Sequence, residues 1–144
     1  MTGDSPRAGG SRLSGFAQTF GAMMVESGDT FILTPTKELV GNPLLPALHG
    51  GAVASFLELA AQLALGRNLL PGQTSRLISA NLQFLTPARL VALRTTPQVR
   101  RIGRRVAVVH AEAFEKDGAA ALCLAQMEFS VRREFLDEDL TSRL

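Results

Sequence analysis

The chain has 144 residues, 46% of them apolar and 19% charged, which suits one domain around one core and excludes a disordered chain. A net charge of +2, with no tryptophan or tyrosine to stack on bases, argues against a nucleic-acid partner. The single cysteine excludes an internal disulfide and fits a reducing, cytoplasmic compartment.

Residues 1–15 hold no apolar core and do not read as a signal peptide; they are expected to form a flexible tail. The domain is placed at residues 16–131, and the charged residues 132–144 form a second tail. Phe16 to Phe20 suits either a short helix or the start of a strand. Two strand-like segments flank the turn Ser27-Gly28-Asp29, which predicts a hairpin. Gly41-Asn42-Pro43-Leu44-Leu45-Pro46 reads as a loop, since two prolines three apart stop regular structure. A helix is predicted from about Gly50 to Leu69, ending before Pro71-Gly72.

Four strand-like runs follow. Arg76 to Thr86 places Ile78, Ala80, Leu82 and Phe84 on one face, with Leu77, Ser79, Asn81 and Gln83 on the other. Leu90 to Arg101 alternates less cleanly, and Pro97 within it predicts a bulge or an edge. Arg104 to Glu115 places Ala107, Val109, Ala111 and Ala113 together, and Ala119 to Val131 does the same for Ala121, Cys123, Ala125, Met127 and Phe129. Period two over successive runs with short connections predicts an antiparallel sheet with one buried face. Cys123, within an apolar run, reads as a small buried hydrophobe rather than a nucleophile.

The helix carries the chemistry. From Gly50 to Gly66 it is apolar nearly all round, with one acid, Glu58. Such a helix is buried, and a buried carboxylate is kept when it is paired or used. The run is shorter than about 18 residues and contains Glu58 and Gln62, so it is not a membrane span. His49-Gly50-Gly51 opens it, leaving bare N–H groups at the positive end of the helix dipole, where an anion or a developing oxyanion would be held. That combination suggests acyl transfer. The helix can bury its circumference only if the sheet wraps it or a second subunit covers the remainder.

Two strands, a long apolar helix and four further strands resemble the hotdog fold, an α+β architecture in which an antiparallel sheet of about six strands wraps a central helix. The residues resemble the PaaI-like acyl-CoA thioesterases. The likeness rests on Asn42 in a loop, His49-Gly50-Gly51, and an acid nine residues after the histidine, Glu58. It continues through Phe84-Leu85-Thr86-Pro87-Ala88 and Val99-Arg100-Arg101-Ile102-Gly103-Arg104-Arg105, covering roughly residues 20 to 131. The acid is glutamate where many members have aspartate, a choice also found in the hydroxybenzoyl-CoA thioesterase branch. Asn42 stands seven residues before His49, where six is usual, and Leu77 falls where some relatives carry a serine that positions water.

The resemblance implies hydrolysis of an acyl-CoA or aryl-CoA thioester. A thiolate is a good leaving group, so the reaction needs mainly a place for the carbonyl oxygen and a base or nucleophile opposite it. The N–H of Gly51, with Gly50, would hold the oxygen, and Glu58 would act as general base or attack to form an anhydride. His49 would cap or fix the loop or hydrogen-bond near the carbonyl. Glu58 lies eight residues past Gly50, about 12 Å of helix rise, too far to meet its own helix start. The family resolves this with a homodimer whose active sites lie at the interface, with a dimer of dimers as a further assembly. Arg101, Gly103 and Arg104, near Arg100 and Arg105, form either a solvated turn or a site for coenzyme A phosphates. Asn81 would line the pantetheine channel or a subunit interface. Phe56, Ile78 and Phe84 are placed near the acyl pocket. No metal and no separate cofactor is expected, coenzyme A being part of the substrate, and no membrane partner is expected. The alternative is a non-catalytic hotdog protein that binds acyl-CoA as a regulator or carrier; the intact Glu58 argues against it. A hydratase of this fold would need an Asp and a His in one helical motif, a pair lacking here, and a purely structural oligomer leaves Glu58 unexplained.

Overall fold

The computed structural model describes residues 7–8, 11–12, 24–34, 40–42, 45–48, 50–116 and 118–134. Phe16 to Phe20, His49 and the end of the C-terminal tail lie outside them. Within the N-terminal segment, β1 (Arg7–Ala8) pairs with β2 (Ser11–Arg12). β3 (Met24–Ser27) and β4 (Thr30–Leu33) form the expected hairpin, with Gly28 at φ 61°, a backbone state that glycine reaches without strain.

The segment expected to be a loop is instead partly paired. β5 (Val40–Asn42) runs antiparallel to β6 (Leu45–Leu48), which contains Pro46. A two-stranded ribbon consists only of edges, and an edge tolerates the missing N–H of proline.

α1 spans Gly50–Gly66, three residues shorter than expected. Asn68 ends it early. Its side-chain amide donates to the Ala64 carbonyl at 2.9 Å, and its backbone N–H donates to the Leu65 carbonyl at 2.9 Å. Those bonds satisfy carbonyls that a continuing helix would have used. Arg67, just past the end, reaches back to the β3–β4 hairpin. It pairs with Glu26, donates to the Gly28 carbonyl at 3.2 Å and lies 5.1 Å from the centre of the Phe31 ring.

The remaining chain forms β7 (Gln73–Phe84), β8 (Leu93–Thr95), β9 (Gln98–Ile102), β10 (Val106–Ala113) and β11 (Cys123–Arg133). A four-stranded antiparallel sheet runs β7-β11-β10-β9, and a three-stranded sheet runs β3-β4-β8. The bridge Arg94↔Phe114 joins the two. The single strand expected over Leu90–Arg101 is thus two, with Thr96-Pro97 as the step from one sheet to the other. Pro97 sits where no ladder needs its N–H, and β9 is a sheet edge, as proline requires.

The core lies between α1 and the concave sheet face. Ala107, Val109, Ala111 and Ala113 on β10, and Cys123, Ala125, Met127, Phe129 and Val131 on β11, are all buried. The alanines let the helix approach closely, and Phe56, Leu57, Leu59, Leu63 and Leu65 fill the space. Each such large side chain contributes about 1.5–3 kcal/mol when fully buried.

β7 departs from its expected alternation. Leu77 pairs with Phe129 and Ser79 with Glu128, so Ile78 is an extra residue, a β-bulge. The bulge turns Leu77 inward onto the core and leaves Ile78 56% exposed. Asn81 and Gln83 keep the outer face. β7 is also a free edge of its sheet among the described strands, twelve residues long, with Phe84 and the following Leu85 more than half exposed.

Candidate active site

α1 is not covered all round. Gly51, Ser55, Glu58 and Gln62 follow one another at intervals of four, three and four residues and form its least covered side. Three of the four are polar and the fourth is bare, whereas the covered faces hold Val53, Phe56, Leu57 and Ala60. The polar groups flanking Glu58 were not singled out from sequence. Their spacing from Glu58, three residues before and four after, marks one helix face and was the available signal.

Glu58 is half-buried on this stripe. Burial pushes its carboxyl above the ordinary carboxylate value. Among the described residues no arginine or lysine pairs with it.

The two glycines at the helix start are exposed. Gly51 has open space where a Cβ would stand; a Cβ on Gly50 would meet only the Phe84 ring, at 3.7 Å, an ordinary contact. Neither is among the glycines with positive φ. Packing against the described residues and backbone conformation therefore give no reason for glycine at either position. Gly103 is the contrast: a Cβ there would stand 2.9 Å from the Val106 carbonyl oxygen, so the β9–β10 turn itself requires glycine. The first N–H groups of α1 have no acceptor within the helix. Gly51 leaves open, among the described residues, the space that a side chain would otherwise fill.

Beside the helix start lies a cavity of about 330 Å3, bounded by Gly50 and Val53 of α1, by Phe84 to Ala88, and by Leu122 and Cys123. Of the three residues expected near an acyl pocket, Phe84 lines this cavity, Phe56 is wholly buried in the core, and Ile78 sits on the exposed bulge. The Cys123 thiol is buried, and burial pushes its pKa up, so it stays protonated and serves as apolar wall.

The remaining named residues lie elsewhere. Arg101, Gly103, Arg104 and Arg105, with Val106 and Val108, line a hollow of about 760 Å3 at the β9–β10 tip. No carboxylate pairs with these three arginines among the described residues. Arg100 is the extra residue of a bulge opposite Val108 and Val109, and donates to the Gln98 side chain. Asn81 lines a polar depression with Gln83, His110, Glu112 and Gln126 on the sheet face away from α1. Asn42 belongs to β5, and its side chain lies outside the described set, as does all of His49. No group of three or more potential metal ligands clusters among the described residues, and no described helix is long and apolar enough to cross a membrane.

A family model described as the thioesterase superfamily matches residues 45–122, which contain α1, β7 to β10 and all of the cavity lining beside the helix start except Cys123. The chain belongs to the thioesterase superfamily. Its fold is the hotdog fold of that family, and thioester hydrolysis is the chemistry that membership supports. Solved structures with the same fold include the BH2602 protein of Bacillus halodurans, solved with CoA, at 23% identity and TM-score 0.70, covering 80% of this chain and 76% of that one. The thioesterase HI1161 of Haemophilus influenzae aligns at 19% identity and TM-score 0.69, covering 78% and 79%. The PaaI protein from the phenylacetic acid degradation operon of E. coli aligns at 22% identity and TM-score 0.61, covering 70% of each chain. No curated protein matches the chain.

Proposed function

We propose that this protein hydrolyses an acyl-CoA thioester in a site shared between two copies of the chain. The observation that carries the reading is the pair of exposed glycines at the start of α1, which nothing among the described residues requires, with Gly51 on the same least covered helix side as Glu58, a half-buried glutamate that has no ion-pair partner among the described residues. Space kept free before bare N–H groups suits a thioester carbonyl that must come close to the backbone.

The N–H of Gly51 takes the carbonyl oxygen and stabilises the charge that develops on it, an interaction typically worth about 3 kcal/mol. Water attacks the carbonyl carbon while Glu58 of the other copy accepts its proton. The tetrahedral intermediate then collapses, the carbon–sulfur bond breaks, and the sulfur leaves as thiolate and is reprotonated to the thiol. In the covalent variant the Glu58 carboxylate attacks first and water hydrolyses the anhydride. Both routes give one acid and one thiol per water consumed.

Two features support the shared site. Within one chain, eight residues of helix separate Gly50 from Glu58, about 12 Å, beyond the reach of a base on its water. β7 offers a long free edge with apolar side chains, which in a stable protein is paired or covered, and a second β7 across a two-fold axis does both. Arg101, Arg104 and Arg105 suit the coenzyme A phosphates through their planar donor geometry. The CoA found with the Bacillus halodurans protein is consistent with that carrier.

Thiol release from short, medium, long and aryl acyl-CoAs, with Glu58→Gln beside wild type, tests the reading. Release that depends on Glu58 is expected. No release from any substrate, or equal release by both proteins, would overturn it.

A further inference from the structure

Resting on that reading, we infer that Gln73 of one copy supplies a second hydrogen-bond donor to the thioester held at the helix start of the other, because the bulge in β7 fixes the register in which two copies pair. In a twelve-residue strand with strict alternation, the first and last side chains point to opposite faces. Two such strands paired end to end across a two-fold axis would oppose inner and outer side chains along their whole length. The extra residue at Ile78 removes that conflict. Before it the inner side chains are Gln73, Ser75 and Leu77; after it they are Ala80, Leu82 and Phe84. The last five pair with buried residues of β11, and Gln73 follows by alternation.

Full-length pairing therefore sets Gln73 opposite Phe84, Ser75 opposite Leu82 and Leu77 opposite Ala80 on the inner face. On the outer face it sets Thr74 opposite Gln83 and Arg76 opposite Asn81. A slip of one residue opposes inner and outer side chains at every step, and a slip of two leaves the ends unpaired. Arg76 is the only charged residue of β7, and in this register it faces Asn81 rather than its own copy, so no like charges oppose.

The register brings Gln73 to the site. Directly opposed residues have Cβ atoms about 5 Å apart. The Phe84 ring lies over Gly50, where a Cβ would stand 3.7 Å from it. Gln73 of one copy thus stands beside the helix start of the other, and it comes from the same copy as the Glu58 of that site. Its amide is already oriented. The Leu70 N–H donates to Gln73 Oε1 at 2.8 Å, and a donor on that side fixes which end of the amide accepts. Nε2 donates to no described residue and is left to join the Gly51 N–H on the carbonyl oxygen.

Gln73→Glu keeps the acceptor for the Leu70 N–H and loses the donor, so its melting temperature should match wild type while kcat falls at least about tenfold. Refolded mixtures then assign Gln73 to a copy. Mixed with Gly51→Val, Gln73→Glu should regain about a quarter of wild-type activity, because one site of each mixed dimer keeps all its groups. Mixed with Glu58→Gln it should regain nothing, because both groups come from one copy and each site then lacks one of them. Recovery with Glu58→Gln, no recovery with Gly51→Val, or wild-type kcat in Gln73→Glu would overturn the inference. Failure of Gly51→Val and Glu58→Gln to complement each other would instead sink the shared site on which it rests. The register is read without activity. Oxidation of the Thr74→Cys, Gln83→Cys double variant should give a covalent dimer, since opposed Cα atoms lie within disulfide range, and the Thr74→Cys, Asn81→Cys double variant should not. Crosslinking of the second pair as readily as the first, or of neither, would overturn the register.

Discussion

Gly51 and Glu58 stand seven residues apart on the one side of α1 that the sheet leaves least covered, about 10 Å along the axis. That separation is short enough to place both in one pair of facing helices and too long for both to serve one carbonyl from the same chain.

Gly51→Ala separates packing from chemistry. The added methyl meets open space, and alanine is the better helix former, so stability should hold or rise by up to about 1 kcal/mol. Thiol release should fall at least tenfold, because the methyl occupies the space before the oxyanion position. Thermal melting and kcat/KM on the same preparation check both halves; equal activity in the variant would remove Gly51 from the site.

Glu58→Gln should cost about 10²- to 10⁴-fold in rate, the usual worth of a general base. Because burial raises the Glu58 pKa, wild-type kcat/KM should climb as pH rises through a value above the ordinary carboxylate range. Stability runs the other way. Below the unfolded-state pKa the carboxyl is protonated in both states and nothing is lost. As pH rises from there through the raised folded value, the unfolded chain ionises first and the folded state loses ground. Glu58→Gln should therefore be at least as stable as wild type at neutral pH, and melting curves against pH should converge in acid. A variant less stable than wild type at neutral pH would mean that the carboxylate has a structural partner.

Thr95 is wholly buried, and its hydroxyl has no partner among the described residues. Thr95→Val keeps the shape and removes the unsatisfied group, so the protein should gain about 1 kcal/mol. Chemical denaturation reads this directly, and a loss of stability would show that the hydroxyl is hydrogen-bonded.

Ile78 sits on the bulge of the free edge strand, exposed and apolar. Ile78→Asp should weaken self-association by at least tenfold while leaving the chain folded, and activity should fall with it at low protein concentration. Sedimentation and thiol release over a dilution series check this; a monomeric wild type with full activity would contradict the shared site.

The alternation in β10 and β11 was legible because one face of each is wholly apolar, as far as Ala113 and Val131, while the other carries His110 and Glu112 on β10 and Gln126, Glu128 and Ser130 on β11. In β7 the neighbours Leu77 and Ile78 are both apolar, so composition cannot say which turns inward; the bulge opposite Phe129 decides it. Pro46 reads as a breaker in sequence, because a ribbon edge forgives proline in a way that sequence does not display. Glu58 and the glycine start were legible as a local pattern. That Gly103 is held by its own turn while Gly51 is not depends on contacts that only the fold supplies. The cavity walls come from α1, the end of β7 and the start of β11, segments far apart in the chain.

Mixing two inactive variants tests the shared site most directly. Gly51→Val and Glu58→Gln proteins are unfolded together, refolded as a mixture, and assayed for thiol release. If each site takes its N–H groups from one copy and its glutamate from the other, every mixed dimer holds one intact site. Random pairing makes about half of the dimers mixed, so about a quarter of wild-type activity should return. Activity no higher than that of the separate variants, with mixed dimers demonstrably formed, would contradict a site built from two copies.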